Sequence, residues 1–225
     1  MVRYALAAEE KEVRRRAILH AARTLFVADP EKLPSASAIA VEAGLAKGTV
    51  YLYFLTKEEI FMDLLHADRM ATMRRVQDAL KADDRLPGER IAAFLDGYVS
   101  HVAAHPDMLR LESLGYSVVE RNVDRERLRA YKVEFTTALM QSGAAVEATL
   151  SLPAGEGLRA LMHSYALTQG LWQALDIPDD CVELMGEAAA PFASLDFATE
   201  LTAALYRYWR GIGDAGGINE ADVAT

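Results

Sequence analysis

Residues 35–57 read SASAIAVEAGLAKGTVYLYFLTK, and this stretch decides the fold of the chain. Its pattern predicts two short helices joined by a tight turn, with a third helix beginning directly behind them. Gly44 stands at the turn, where a positive backbone φ is adopted at low cost. One side of the stretch forms a small buried core, which consists of Ile39, Ala40, Ala43, Leu45, Val50 and Phe54.

The other side of the second short helix is left to solvent. A short exposed helix braced by a helix crossing behind it is the layout of a helix-turn-helix, whose second helix enters the DNA major groove. We expect Gly48 to let the backbone approach the groove wall, and Thr49 to meet a base edge or a thymine methyl group. Leu52 can read a base only by apolar contact. The residues on this side are Lys47, Gly48, Thr49, Tyr51, Leu52 and Tyr53.

The ends of these helices carry recognisable signals. Ser35, in preference to Ser37, is the expected N-cap of the first short helix, and both serines are included in the predicted DNA-contacting set. Ala46 offers no side-chain cap to the second, where a bound phosphate could satisfy the free N–H groups instead. Thr56 and Glu59 have capping-box spacing, and Leu55 and Ile60 have the spacing of a hydrophobic staple.

The run AGLAKGTVYLYFLTKEEIF resembles the DNA-binding domain of the TetR family of transcriptional repressors. It departs from the family pattern at Ala46, Leu52 and Tyr53. The resemblance implies that Tyr51, Tyr53 and Lys57 hold phosphates. It also implies pairing through the last two long helices and an inducer cavity in the C-terminal part. The matching residues are Ile39, Ala40, Ala43, Gly44, Lys47, Gly48, Thr49, Tyr51, Phe54, Lys57, Glu58 and Glu59.

Charge is distributed unevenly along the chain. The net charge is −9, but residues 1–57 carry nine Lys or Arg against six Asp or Glu. A mildly basic head on an acidic body indicates that only the head approaches phosphate. Arg14, Arg15 and Arg16 on the first helix are either a solvated basic face or phosphate contacts, and the sequence leaves both open.

The chain on both sides of the helix-turn-helix is predicted to be helical. A helix from about Ala7 to Ala28 precedes the motif, and a helix from Lys57 to about Ala82 connects the head to a larger body. The predicted fold is all-α, with an N-terminal three-helix DNA-binding domain and a C-terminal helical ligand-binding and dimerisation domain. The predicted bounds are 1–57 for the head, 58–212 for the body and 213–225 for a flexible tail.

Two late helices, Leu158–Leu175 and Ser194 to about Ile212, are apolar on two sides. A helix with two apolar sides must bury both. Meeting their copies about a two-fold axis would bury them in a homodimer, and an intramolecular bundle is the alternative.

A ligand pocket in the body is predicted from aromatic and polar groups on helices that face one another. A stripe of Met and aromatic residues is also typical of plain core, so the pocket depends on the family resemblance. The side chains favour an apolar or aromatic inducer. The candidate residues are Tyr98, His101, Met108, Tyr116, Met162, Tyr165, Gln169 and Trp172.

No catalytic constellation is recognisable, so we expect no enzyme, no cofactor and no metal. His101 and His105 have metal-ligand spacing but no third ligand beside them. The lone Cys181 and the absence of a signal or a spanning segment favour a cytoplasmic protein that does not enter a membrane.

The sequence therefore favours a repressor that binds a palindromic operator in double-stranded DNA and is released by a small-molecule inducer. A helical binding or adaptor protein with a degenerate DNA-binding head is the alternative, because Ala46, Leu52 and the overall acidity depart from the pattern.

Overall fold

The computed structural model describes residues 2–29, 32–81 and 83–215, without the side chains of residues 2–8, 116, 179, 193, 214 and 215. Over these residues the chain is helical and contains no strand, as predicted. Part of the predicted tail, residues 216–225, lies outside the described residues. The α-helices are α1 (Val2–Ala28), α2 (Ala36–Glu42), α3 (Lys47–Tyr51), α4 (Lys57–Ala79), α5 (Pro87–Ala104), α6 (Pro106–Leu114), α7 (Arg125–Leu150), α8 (Glu156–Leu175), α9 (Asp179–Met185), α10 (Ala190–Ala193) and α11 (Phe197–Ala215).

The chain divides into two compact units that are not contiguous in sequence. The first, called the head unit below, comprises residues 1–69 and 110–133; the second, called the body unit, comprises residues 70–109 and 134–225. Helices α4, α6 and α7 contribute residues to both. The head unit thus contains the helix-turn-helix together with the start of α7, far beyond the predicted limit at residue 57. These compact units do not test the predicted functional domains, so the bounds 1–57, 58–212 and 213–225 stay predictions.

In the head unit the short helices depend on side chains packed beneath them. Ile39, Val50 and Phe54 are at most 1% exposed, and Ala43 and Leu45 pack against the same core. A five-residue helix such as α3 is too short to persist alone, so this burial holds it in place. Gly44 has φ +66°, the left-handed conformation expected at the turn.

In the body unit α5, α8 and α11 pack around a core that includes Phe94, Leu205 and Trp209. The Trp209 indole N–H donates to the hydroxyl of Ser164 over 2.9 Å, so a polar pair lies inside this core. Helices α7 and α8 approach closely at Gly143 and Gly157, where neither position has room for a Cβ. The carboxylate of Glu147 accepts from the backbone N–H of Gly157 over 3.1 Å, which satisfies a free donor at the start of α8.

Several sequence-based expectations about the helices need correction. Helix α4 ends at Ala79 and not near Ala82, and α1 begins at Val2 and not near Ala7. The short helices α9 and α10 were not predicted, since neither is long enough to show a periodic pattern. Leu55 does not form a staple with Ile60: its side chain is 72% exposed, whereas Ile60 is fully buried. A polar contact to Glu59 replaces the expected apolar one.

Candidate nucleic-acid interface

Helix α3 presents a continuous exposed face. Lys47 and Gly48 are exposed, Thr49 is half-buried, and Tyr51 and Leu52 are 43% and 78% exposed. The ammonium group of Lys47 lies 5.9 Å from the centre of the Tyr51 ring, so the cation and the phenol occupy one patch. A cation, a small hydroxyl and an apolar side chain on one short helix can contact phosphate, a base edge and a thymine methyl group.

Tyr53 is placed differently from its predicted neighbours on that face. Its side chain is half-buried and packs against the core of the head unit. Lys57, at the start of α4, is also half-buried, and its ammonium group donates to the carbonyl oxygen of Leu33 over 3.4 Å. Both side chains are therefore less exposed than Lys47 and Leu52, and their phosphate contacts stay a prediction.

The two serines near α2 have different roles. The hydroxyl of Ser35 accepts from the backbone N–H of Ala38 over 3.1 Å, so Ser35 is the N-cap, as predicted. Ser37 is exposed in the first turn of the helix. Ala46 precedes α3 without a side-chain cap, as expected, which leaves backbone N–H groups of α3 available to an anion.

Behind α3, the α4 helix carries two buried carboxylates that sequence reasoning did not single out. Asp63 is 6% and Glu59 2% exposed. Asp63 accepts from Arg15 of α1, from Tyr131 of α7, and from Nη2 of Arg127 over 2.8 Å. A signal was available in the sequence, because two acids at i and i+4 lie within the apolar run of α4 and require cationic partners. It did not identify those partners.

Among the three N-terminal arginines, Arg15 has a buried acidic partner. Its guanidinium is committed to Asp63 and lies 5.7 Å from the centre of the Phe54 ring. Arg16 remains 66% exposed and sits within 3.8 Å of Glu12. Arg15 is thus part of the support of the head unit, while Arg14 and Arg16 are exposed, which fits both a solvated face and phosphate contacts.

The contacts around Asp63 also shift the ionisation of their members. Burial and the hydrogen bond to Asp63 raise the pKa of the Tyr131 phenol to about 12. Burial alone would lower the pKa of the Arg127 guanidinium, but its hydrogen bond to Tyr131 and the charge of Asp63 outweigh burial and raise it. Both groups therefore keep their protons at neutral pH.

The predicted ligand-binding residues of the body unit are only partly gathered. The phenol of Tyr98 donates to the Thr168 hydroxyl over 3.0 Å, and Trp172 meets Phe197 edge to face with ring centres 5.6 Å apart. Beside Thr168, the amide nitrogen and oxygen of Gln169 are buried, and both lack a hydrogen-bond partner among the described residues. These residues connect α5, α8 and α11.

The remaining candidates lie elsewhere in their elements. Met108 is buried in the core of the body unit, and His101 lies half-buried on α5 with its ring 4.6 Å from that of His105. Met162 and Tyr165 are 55% and 47% exposed within one chain, so their place in a pocket stays a prediction. Tyr116 is among the residues whose side chains the structure does not describe.

In the described part of the chain, no group of three or more His, Cys, Asp or Glu side chains is arranged to hold a metal ion. Cys181 is exposed. No helix among the described residues has the length and apolar character that crossing a membrane requires.

Comparison with known proteins adds independent findings. The model of the tetR family of bacterial regulatory proteins matches residues 18–64, and the model of the tetracyclin repressor-like C-terminal domain matches residues 67–215. The uncharacterized HTH-type transcriptional regulator YfiR of Bacillus subtilis (strain 168) is 27% identical over 140 residues, which are 60% of this chain and 67% of that protein.

Solved structures share the fold at low sequence identity. The fatty acid degradation regulator FadR from Bacillus halodurans superposes with a TM-score of 0.57 at 14% identity, covering 87% of this chain and 94% of that one. The transcriptional regulator FadR from Bacillus subtilis, in complex with stearoyl-CoA, gives a TM-score of 0.51 at 19% identity, covering 86% and 96%. Together with the exposed α3 face and the two matching family models, these findings establish that the chain belongs to the TetR family and is a DNA-binding transcriptional regulator.

Proposed function

We propose that this regulator is a homodimeric repressor that binds a palindromic operator and leaves it when a small apolar or aromatic molecule enters the body unit. Two copies of α3 would occupy successive major grooves, ~34 Å apart. The exposed α3 face, with Lys47 and Leu52 turned to solvent and Thr49 half-buried between them, is the observation that carries the proposal.

Dimerisation through α8 and α11 is supported by the apolar surface that one chain leaves uncovered. Ala160 and Ser164 are buried on the inner side of α8, while Met162 and Tyr165, one turn apart, are half exposed on the outer side. Exposed apolar side chains grouped on one helix face are typical of an interface. Pairing of two copies would cover them and hold two heads at a fixed spacing.

An inducer site in the body unit is supported by the unpaired amide of Gln169. A buried amide without partners costs free energy, and a ligand that offers a donor and an acceptor would remove that cost. Phe197 and Trp172 on the same unit offer apolar surface. Since the Bacillus subtilis FadR structure contains stearoyl-CoA, long-chain acyl compounds are a reasonable first set of ligands to screen. Ligand binding would favour a head spacing that no longer matches the operator.

Gly48 provides a sharp test of the DNA-binding face. A Cβ at Gly48 would meet nothing within 4 Å in the protein, so Gly48→Ala leaves the fold intact. If the α3 backbone approaches the groove wall there, the added methyl group clashes with DNA. We expect binding to DNA from the gene's own upstream region to weaken by about 1–3 kcal/mol, with no loss of thermal stability.

Gly97→Ala is the matched control, because Gly97 is an exposed helical glycine of α5 that also has open space around a Cβ. Fluorescence anisotropy with labelled upstream DNA and with scrambled DNA measures both variants. Wild-type affinity in Gly48→Ala, or equal weakening in both variants, would count against α3 as the reading helix. Equal affinity of the wild type for both DNAs at all salt concentrations would count against operator recognition.

A further inference from the structure

Arg127 connects the first turn of α7 to the residues that follow α3, the predicted recognition helix. Its Nη1 donates to Oε2 of Glu59 over 2.8 Å, and the same oxygen accepts from the backbone N–H of Leu55 over 2.8 Å. Leu55 directly follows Phe54, whose ring centre lies 5.6 Å from the Arg127 guanidinium carbon. Arg127 therefore touches the α3–α4 junction twice, once through a carboxylate and once through an aromatic ring.

A second contact links the same parts of the chain. The hydroxyl of Thr56 donates to the carbonyl oxygen of Asn122 over 3.3 Å and accepts from the backbone N–H of Glu59 over 3.2 Å. Asp124 then caps α7 by accepting from the N–H of Arg127 over 3.0 Å. The segment from residue 122 to 127 is thus fixed at both ends: to its own helix and to the junction behind α3.

We infer that Arg127 is a positioning residue for DNA recognition: from α7 it sets the orientation of α3 through Glu59 and Phe54, without contacting DNA itself. Its three donor groups are committed, since Nη1 binds Glu59, Nη2 binds Asp63 over 2.8 Å, and Nε binds Tyr131 over 2.9 Å. A planar guanidinium holds three acceptors in a fixed arrangement, which a lysine ammonium on a flexible stem does not. The DNA part of this inference rests on the proposed function.

Two variants perturb the link in complementary ways. Arg127→Lys keeps the positive charge beside the buried carboxylates but loses the fixed three-way geometry. Glu59→Gln removes the buried charge and keeps an oxygen that can accept from Leu55, so it decides the question if Arg127→Lys does not fold. Arg129→Met is the matched control, because Arg129 is an exposed arginine on the same helix.

Hydrogen exchange read by mass spectrometry tests the orientation of α3 without DNA. We expect faster exchange of the amides of residues 48–56 in Arg127→Lys and in Glu59→Gln, with unchanged exchange in the buried part of α1. Wild-type exchange over residues 48–56 in a folded variant would overturn the inference. Faster exchange across the whole head unit would overturn it as well, because Arg127 would then be a general stabiliser.

DNA binding supplies the second readout. We expect affinity for the upstream DNA to fall by about tenfold or more in Arg127→Lys, while affinity for scrambled DNA and the slope of log affinity against log salt stay as in the wild type. A slope reduced by about one would indicate a lost phosphate contact and would overturn the assignment. If wild-type protein does not discriminate the upstream DNA, the proposed function fails, and the exchange measurement alone decides whether Arg127 positions α3.

Discussion

The crossing of α7 and α8 makes Gly157→Ala a quantitative test of the body unit. A Cβ at Gly157 would lie 2.1 Å from the carbonyl oxygen of Gly143 and 3.0 Å from Cγ of Glu147. The reciprocal Cβ at Gly143 would lie 2.8 Å from the backbone nitrogen of Leu158. Because the nearest neighbour of Gly157 is a backbone carbonyl, no side-chain rotation relieves the clash, and the two helices must separate by roughly 1 Å.

The cost follows from what this separation disrupts. Forcing extra volume into a packed contact costs about 1–3 kcal/mol. The Glu147 carboxylate, which accepts from Gly155 over 2.8 Å and from Gly157 over 3.1 Å, would also be displaced, at ~1 kcal/mol for each hydrogen bond. The gain from replacing a helical glycine by alanine is at most about 1 kcal/mol. We therefore expect a net loss of about 2–4 kcal/mol and a melting temperature lowered by roughly 4–16 °C.

Thermal unfolding followed by circular dichroism measures this loss. Gly170→Ala is the control on the same helix, since a Cβ at Gly170 meets nothing within 4 Å and the residue is exposed. That substitution should raise stability by up to about 1 kcal/mol, so the two changes have opposite signs. A Gly157→Ala protein that melts at or above the wild-type temperature would refute the backbone contact between α7 and α8.

Three further outcomes follow from the same structure. Replacing an operator thymine by deoxyuridine at the position that Leu52 reads should weaken wild-type binding by about 1 kcal/mol and leave Leu52→Ala unaffected; equal losses in both proteins would remove Leu52 as the reader. Lys47→Ala should reduce the slope of log affinity against log salt by about one, whereas an unchanged slope would exclude a phosphate contact. The pKa of Tyr206 is raised to about 12 by burial and by its hydrogen bond to Asp96. Because the folded state holds this proton more tightly, stability should fall as pH rises from about 10 towards 12, and the fall should be smaller in Tyr206→Phe; denaturant unfolding at several pH values measures it.

The local structure of the head could be predicted well from the sequence because that information lies within a few residues. Gly44 at the turn, Ser35 as a cap, and Val50 and Phe54 as anchors each follow from spacing within a few residues. The same local reasoning predicts a hydrophobic staple between Leu55 and Ile60, and that prediction is wrong. The Glu59 carboxylate instead accepts from the backbone N–H of Leu55. Arg127 balances the charge of this carboxylate, and because Arg127 is 68 residues away in the chain, the local sequence does not reveal it.

The candidate inducer site could be predicted less well, since its members come from different helices. The sequence places Gln169 on a helix with two apolar sides. That its side-chain amide is buried without a hydrogen-bond partner among the described residues is a property of the packed structure, which the sequence does not show. Met162 and Tyr165 belong to the same stripe of α8 and are exposed. Periodicity assigns residues to faces of a helix, but it does not tell which face the same chain covers and which a second copy would cover.

The distribution of buried charge explains why an acidic chain can carry a DNA-reading head. Glu59 and Asp63 are buried in the head unit, where two unpaired carboxylates would repel phosphate. Arg15, from α1, and Arg127, from α7, offset both charges inside the head unit. Lys47 on α3 is exposed to solvent, where its charge can meet a DNA phosphate. A substitution that removes Arg127 without also neutralising Glu59 or Asp63 changes two properties at once, the orientation of α3 and the field around it, which is why the charge-preserving lysine variant separates them.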